Sequence, residues 1–119
     1  MQMYELEAWL GDDHGLDEDR LAELLRLADE IDGRYADPDD QPERDAALST
    51  AHQLLLGQDE AIDELAQKRS DAKAAESQAL AGLRQAALML IPSESRTEAG
   101  FAKQVGVDRM TVRSWLGKR

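Results

Sequence analysis

The stretch from Glu98 to Gly117 contains two short runs of apolar residues at helical spacing, and a glycine separates them. In the first run, Phe101, Ala102 and Val105 fall on one stripe of a helix. Gly106 then interrupts the pattern. A tight corner between two helices needs a residue that adopts a positive φ angle without steric cost, and glycine does so. The pattern predicts two helices joined by a sharp turn.

The second run has its own start and stop signals. Asp108 is a good N-cap residue, and Gly117 is suited to end the helix. Between them, Val112, Trp115 and Leu116 recur at spacings of three and four, so one face of this helix is expected to be buried. The core of the two-helix element is predicted at Phe101, Ala102, Val105, Gly106, Val112 and Trp115.

This element resembles the helix-turn-helix of prokaryotic DNA-binding proteins. The likeness rests on the small residue at Ala102, the turn glycine at Gly106 and the apolar pair at Val112 and Trp115. The stretch GVDRMTVRSWLGK is also similar to the C-terminal elements of many small bacterial proteins that join a helical or coiled-coil segment to a helix-turn-helix. The resemblance covers about the last quarter of the chain. It implies that the second helix enters the major groove of DNA.

The outward side of the second helix supplies the candidate DNA contacts. Arginine can donate two hydrogen bonds to guanine O6 and N7, and an apolar side chain can contact a thymine methyl. We therefore expect base contacts from Arg109, Met110, Arg113 and Ser114. Phosphate contacts, which position the protein without reading sequence, are expected from Lys103, Thr111, Lys118 and Arg119. The alternative is a helical hairpin that packs only against protein.

Charge is distributed unevenly along the chain. Residues 93–119 carry six basic and three acidic side chains, a net charge of +3, whereas the whole chain carries −11. The first 92 residues therefore carry −14. A polarised protein of this kind can bind DNA through its basic end and hold its acidic end away. Because +3 is a small charge, one copy should bind weakly, which favours a homodimer.

Composition favours an all-α fold with one domain or two small ones. Alanine and leucine dominate, there are only three prolines, and no run of β-branched residues indicates a strand. In the acidic region we expect a short apolar cluster around Trp9, a helix over Leu16–Tyr35 and a loop over Ala36–Glu43. The three expected regions are an acidic N-terminal helical region (1–43), a long central helix or pair of helices (44–91) and a C-terminal helix-turn-helix (92–119).

Residues Arg44–Ile91 contain hardly a helix breaker, and Gly57 and Gly82 are the weak points. A seven-residue frame places apolar residues at both ends and polar residues in the middle, which is typical of an imperfect coiled coil. One core position of the frame holds Leu48, Leu55, Ile62, Arg69, Glu76, Leu83 and Leu90. The next holds Ala51, Gln58, Leu65, Ala72, Ala79 and Ala86. The alanines permit close approach of another helix, either within the chain or across a parallel or antiparallel dimer.

The end of this long segment leads into the two-helix element. The run from Leu80 to Ile91 can serve as the first helix of a trihelical DNA-binding unit, and Pro92 ends it. Ser95 is followed three residues later by Glu98, which predicts a capping box at the start of the next helix. Thr97 is the rival N-cap residue.

Catalytic, metal and membrane functions find no support in the sequence. The chain has no cysteine, which excludes a thiolate metal site and fits a reducing cytoplasm. His14 and His52 lack a spaced partner, and no glycine-rich phosphate loop is present. The N-terminal residues lack a signal-peptide pattern, and no apolar run approaches membrane-spanning length. We expect a cytoplasmic protein that is not an enzyme and holds neither a metal nor a cofactor.

The favoured function is a sequence-specific transcriptional regulator, a homodimer that reads a palindromic or pseudo-palindromic operator in double-stranded DNA through the 108–116 helix. Its half-sites would lie one helical turn, about 34 Å, or a multiple of it apart. The alternative is an adaptor or antitoxin-like protein. In that case the acidic N-terminal half binds another protein, with Trp9 as an anchor, and the C-terminus tethers it to DNA. A third hypothesis is a helical interaction protein that binds no DNA.

Overall fold

The computed structural model describes residues 1–93 and 95–118, and in these residues the chain is helical with no strand. The prediction of an all-α fold is confirmed. The helices are α1 (Met3–Leu10), α2 (Glu18–Arg34), α3 (Gln41–Leu55), α4 (Glu60–Leu90), α5 (Glu98–Val105) and α6 (Arg109–Trp115), with a 3₁₀ turn at Pro38–Asp40 before α3. The chain forms two compact units, Met1–Ala66 and Gln67–Arg119, and the division falls within the length of α4.

Helix α2 lies within the predicted helix Leu16–Tyr35, and its start follows from local chemistry. The Asp17 carboxylate accepts a hydrogen bond from the Arg20 backbone N–H at 2.8 Å, which satisfies one of the free donors of the first turn. Glu18 and Asp19 also occupy the first turn, where the helix dipole favours negative charge. The helix therefore begins where the sequence provides a cap and acidic residues together.

The long segment predicted as one or two helices consists of two, and the break is at Gly57. This glycine has a φ angle of 79°, which side chains other than glycine rarely adopt. Gly82, the other weak point, lies inside α4. Helix α3 begins at Gln41, so the last residues of the predicted loop Ala36–Glu43 are helical. Pro42 is accepted in the first turn of α3. A backbone N–H in the first turn has no acceptor within the helix, so the N–H that proline lacks is not missed there.

Three helices form the core of the N-terminal unit. The buried residues of that core are Leu6 of α1, Leu24, Ala28 and Ile31 of α2, and Leu48 of α3. Leu6 and Leu24 have no exposed surface. Helices α2 and α3 pack against each other along this core. Tyr4 and Trp9 of α1 remain 72% and 41% exposed, so both aromatic rings face solvent in part.

The C-terminal unit has a separate core. Ala87 from the last turns of α4 is buried together with Phe101 and Ala102 of α5 and Val112 of α6. Helices α5 and α6 also contact each other directly. The end of α4 therefore contributes a third helix to the packing of α5 and α6.

The middle of α4 is exposed on all sides. Every side chain from residue 62 to residue 79 is exposed, including Ile62 at 58% and Leu65 at 44%. An amphipathic helix in a globular protein normally buries its apolar stripe, so this part of α4 differs from α2 and α3. Within residues 1–93 and 95–118, none of the helices combines the length and the apolar character needed to span a bilayer.

Candidate nucleic-acid interface

Helix α5 is capped by Thr97, whose hydroxyl oxygen accepts a hydrogen bond from the Gly100 backbone N–H at 3.0 Å. The capping box predicted at Ser95 is wrong. The backbone N–H of Ser95 donates to the Leu90 carbonyl at 3.1 Å, so this residue is tied to the last residue of α4 instead of capping α5. Thr97 has the extended backbone that an N-cap requires. As a result, the Glu98 side chain is not used in a cap and can reach α6.

The corner between α5 and α6 is formed by backbone hydrogen bonds around one glycine. Gly106 adopts the left-handed conformation, with φ of 76° and ψ of 30°. Its N–H and that of Val107 both donate to the Ala102 carbonyl, at 3.0 and 3.1 Å. Asp108 then caps α6 by accepting from the Thr111 backbone N–H at 2.8 Å. The turn glycine and the N-cap expected from the sequence therefore lie where the chain changes direction.

The remaining predicted core residues lie on the inner side of this corner. Phe101 and Ala102 are 3% and 4% exposed, and Val112 is fully buried. Val105 and Trp115 are partly buried and pack against the same cluster. This packing fixes which side of α6 is turned to solvent.

The solvent side of α6 carries three of the four residues predicted to contact bases. Arg109 and Ser114 are exposed, and Met110 keeps 63% of its surface exposed. Successive residues of a helix are about 100° apart, so positions 109, 110, 113 and 114 lie on one broad face. The geometry brings these four residues together next to the corner.

Arg113, the fourth of these residues, is half-buried and held by an ion pair. One of its guanidinium nitrogens donates to a Glu98 carboxylate oxygen at 3.0 Å. The other oxygen of the same carboxylate accepts from Lys118 at 2.6 Å, and Arg109 Nε lies 3.7 Å from Glu98. Only 11% of the Glu98 side chain is exposed. A single carboxylate thus contacts three cations of the candidate interface.

The sequence did not identify Glu98 as a functional residue. It precedes Arg113 and Lys118 by 15 and 20 positions, so neither pair has the helical spacing of three or four that signals an ion pair within one helix. Its role becomes visible only once α5 and α6 are packed. The hydrogen bond from Lys118, followed by that from Arg113, lowers the pKa of the Glu98 carboxyl below its ordinary value. Glu98 is therefore ionised at neutral pH and offsets part of the positive charge of this face.

The residues predicted to contact phosphates have different surroundings. Lys103 is exposed on α5, and Lys118 is half-exposed while paired with Glu98. Thr111 is half-buried, and its hydroxyl donates to the Asp108 carboxylate at 3.3 Å. Arg119 lies outside the described residues. Lys103 is thus exposed to solvent, whereas Lys118 and the Thr111 hydroxyl make contacts within the two-helix element.

Acid is expected to destabilise the C-terminal unit through Glu98. Its pKa in the folded chain is lower than in the unfolded chain, where the ordinary value is 4.5. The stabilisation is therefore fully present above about pH 4.5 and is lost as the pH falls through the folded pKa. As the pH is lowered below about 4.5, the midpoint of thermal unfolding should fall, and in Glu98→Gln it should depend less steeply on pH.

The reporter for this experiment is Trp115, which packs at the edge of the C-terminal core. The chain contains two tryptophans, so the variants are made in a Trp9→Phe background in which Trp115 is the sole indole fluorophore. An equally steep loss of stability in Glu98→Gln would show that the acid sensitivity arises from other carboxyl groups.

Both histidines take part in hydrogen bonds of the N-terminal unit. His52 Nε2 lies 2.8 Å from the His14 carbonyl oxygen, and the Leu16 backbone N–H donates to His14 Nδ1 at 3.0 Å. These contacts tie the segment after α1 to α3. In the described part of the chain, no three histidine, aspartate or glutamate side chains converge as metal ligands.

No protein family model, curated protein or solved structure matches this chain.

Proposed function

We propose that the chain is a sequence-specific transcriptional regulator that binds DNA through a helix-turn-helix formed by α5 and α6. The observation that carries the proposal is the corner at Gly106. Its inner side is closed by Phe101 and Val112, and its outer side presents the basic and apolar residues of α6 together. A recognition helix needs this combination, because the core fixes the angle of the helix and the exposed side chains enter the major groove.

The proposed contacts use the chemistry of the exposed face. Arg109, at the first turn of α6, is suited to a guanine edge, and Met110 to a thymine methyl. Arg113 reaches a base by exchanging the Glu98 carboxylate for guanine O6 and N7, which are also hydrogen-bond acceptors. Lys118 stays close enough to Glu98 to keep its charge compensated after this exchange. Lys103 is suited to a phosphate beside the groove.

Two copies would supply the affinity that one basic element lacks. The N-terminal unit Met1–Ala66 carries 20 acidic and four basic side chains, whereas Gln67–Arg119 carries ten basic and five acidic ones. DNA attracts the second unit and repels the first. In this proposal the regulator is a cytoplasmic homodimer, and its operator is an inverted repeat whose half-sites are separated by about 34 Å or a multiple of it.

The test is selection of bound duplexes from a random DNA pool by the full chain at moderate salt. Enrichment of an inverted repeat is expected. Arg113→Ala should weaken binding to the selected sequence by about 1–3 kcal/mol and relax the preference at one base position. Arg20→Ala is the matched control, because it removes the same charge from an exposed position on α2.

Two results would count against the proposal. An Arg113→Ala protein with unchanged base preference would remove this residue from base readout. A wild-type chain that enriches no sequence and shows no salt-dependent affinity would argue against DNA binding altogether.

The second candidate function is an adaptor or antitoxin-like protein that binds another protein through its N-terminal unit and DNA through its C-terminus. The observation that favours it is the exposure of Trp9 and Tyr4 on α1, since aromatic residues of this kind are common in binding hot spots. The two functions are separable. In the adaptor, Trp9→Ala abolishes binding of the other protein and leaves DNA selection intact. Arg113→Ala instead weakens DNA selection and leaves binding of the other protein intact.

A further inference from the structure

The exposed part of α4 carries a continuous stripe of side chains on one face. The stripe follows the seven-residue frame and consists of Ile62, Leu65, Ala66, Arg69, Ala72, Lys73, Glu76, Ala79, Leu80 and Leu83. Ile62 and Leu65 at one end are 58% and 44% exposed. In the part of the chain that the structure describes, the apolar residues at both ends lie outside the two buried clusters. Leu80 and Leu83 at the other end are partly buried, so the exposed part of the stripe, residues 62–79, is the surface available to a second chain.

The residue types along this stripe are self-complementary when its direction is reversed. If two copies of α4 are related by a two-fold axis midway between Ala72 and Lys73, every stripe residue of one copy lies opposite a stripe residue of the other. Such an axis places Ile62 opposite Leu83, Leu65 opposite Leu80, Ala66 opposite Ala79, and Arg69 opposite Glu76. Large apolar residues meet large ones, Ala66 meets Ala79, Arg69 meets Glu76, and at the axis itself Ala72 meets Lys73. A surface of this kind suits the same surface of an identical chain, as an isologous interface requires.

The charges disfavour the parallel arrangement. A parallel pair in register places each residue opposite its own copy, so Arg69 would face Arg69 and Glu76 would face Glu76 in the middle of the seam. Like charges at these positions repel each other. The distribution of charge along α4 also favours the antiparallel pair. Residues 59–66 hold four acidic and no basic side chains, whereas residues 67–84 hold four basic and two acidic ones. Only the antiparallel pair brings acidic and basic segments together.

We propose that α4 pairs with α4 of a second copy of this chain in antiparallel orientation, with Arg69 against the second copy's Glu76. The alanines of the seam allow the two helices to approach closely. This inference specifies the dimer of the proposed regulator. With a rise of 1.5 Å per residue, the two Ala87 residues, which anchor the DNA-binding elements, lie about 44 Å apart along the axis. That distance is of the order of one turn of DNA, whereas a parallel pair would hold them about 10 Å apart.

Charge reversal at the centre of the seam tests this arrangement without DNA. Arg69→Glu places two glutamates opposite each other on both sides of the axis, and Glu76→Arg does the same with two arginines. Either change should raise the dimer dissociation constant roughly tenfold in sedimentation equilibrium, and the Arg69→Glu/Glu76→Arg double variant should restore it. Asp71→Arg, on the opposite side of α4, is the control and should have no such effect.

Engineered cysteines give an independent readout, because the chain has none of its own. A disulfide needs Cα atoms within about 7 Å. Ala66→Cys mixed with a differently tagged Ala79→Cys should form a mixed disulfide in a glutathione buffer. Ala79→Cys alone should form none, since the two copies of this residue are about 20 Å apart in the antiparallel pair.

Each contrary outcome overturns the proposal in a recognisable way. A disulfide of Ala79→Cys with itself would establish the parallel pair. Failure of the double variant to restore dimerisation would remove the contact between residues 69 and 76. A chain that stays monomeric at all concentrations would exclude the second copy. A chain that dimerises as described but selects no DNA would leave this inference standing and remove the proposed function.

Discussion

Replacing Phe101 with alanine is expected to unfold most of the C-terminal unit and to abolish sequence-specific DNA binding. The ring is 3% exposed and packs with Ala87, Ala102 and Val112 in the only buried cluster that the described residues of this unit form. Truncation of a buried phenylalanine costs about 3–5 kcal/mol. At 0.05–0.15 kcal/mol per residue, a unit of this size is stable by about 3–8 kcal/mol. The loss is therefore comparable to the whole stability of the unit.

The measurement is urea unfolding followed by Trp115 fluorescence in the Trp9→Phe background, together with binding to the selected duplex. Met89→Ala is the matched control, because Met89 lies in the same unit and is 63% exposed. It should change the stability by no more than about 0.5 kcal/mol. If Phe101→Ala keeps the wild-type unfolding midpoint, α4, α5 and α6 do not share the core described above.

Replacing Leu24 with alanine is expected to destabilise the N-terminal unit by about 2–5 kcal/mol and to leave DNA selection unchanged. Leu24 has no exposed surface and belongs to the buried cluster that also contains Leu6, Ile31 and Leu48. The cavity left by the side chain would lie between α1, α2 and α3. Because the buried residues of the C-terminal unit form a separate cluster, the loss should be confined to the first unit.

Amide hydrogen exchange reports the two units separately. Leu24→Ala should reduce protection in α2 and α3 and leave that of α5 unchanged. Leu54→Ala, at a position that is 40% exposed, is the control and should alter neither. Equal loss of protection in α2 and α5 would mean that the two clusters unfold as one cooperative body.

Much of the helical structure was predictable because its signals are local. Helix α2 has an N-cap aspartate, acidic residues in its first turn and an apolar stripe within 17 residues. The corner at Gly106 likewise needs only one glycine and a cap at Asp108. In both cases the residues that determine the backbone are neighbours in the sequence, and the buried face follows from the helical repeat.

The cap of α5 and the break between α3 and α4 could not be predicted from local residues, because each depends on the structure of the neighbouring segment. Ser95 and Thr97 are both good N-caps by residue type, and the contact that distinguishes them is the hydrogen bond from the Ser95 backbone N–H to the Leu90 carbonyl at the end of α4. Gly57 and Gly82 look alike in the sequence as well. A glycine inside a helix costs only about 1 kcal/mol, so Gly82 is tolerated within the long α4, whereas Gly57 takes a positive φ angle and separates two helices.

The candidate interface was predictable from the sequence only in its exposed part. The positions of Arg109, Met110 and Ser114 follow from the buried face of α6, which the periodicity indicates. The ion pairs of Arg113 and Lys118 do not follow from it, because their acceptor lies on another helix. Long-range electrostatic contacts of this kind become visible only when the helices are placed in space.

The carboxylate of Glu98 also bears on the counterion balance of DNA binding. Each phosphate that a protein cation neutralises releases condensed salt ions from DNA, and affinity then falls with salt in proportion to the number released. Glu98 already balances one positive charge on the face that carries Arg109, Arg113 and Lys118. If this face binds DNA as proposed, it would displace roughly one ion fewer than its cations suggest, and its attraction to arbitrary DNA would be weaker. In the proposed complex Lys118 stays with Glu98 when Arg113 moves to a base, so an operator would gain a charge-assisted base contact that arbitrary DNA does not offer.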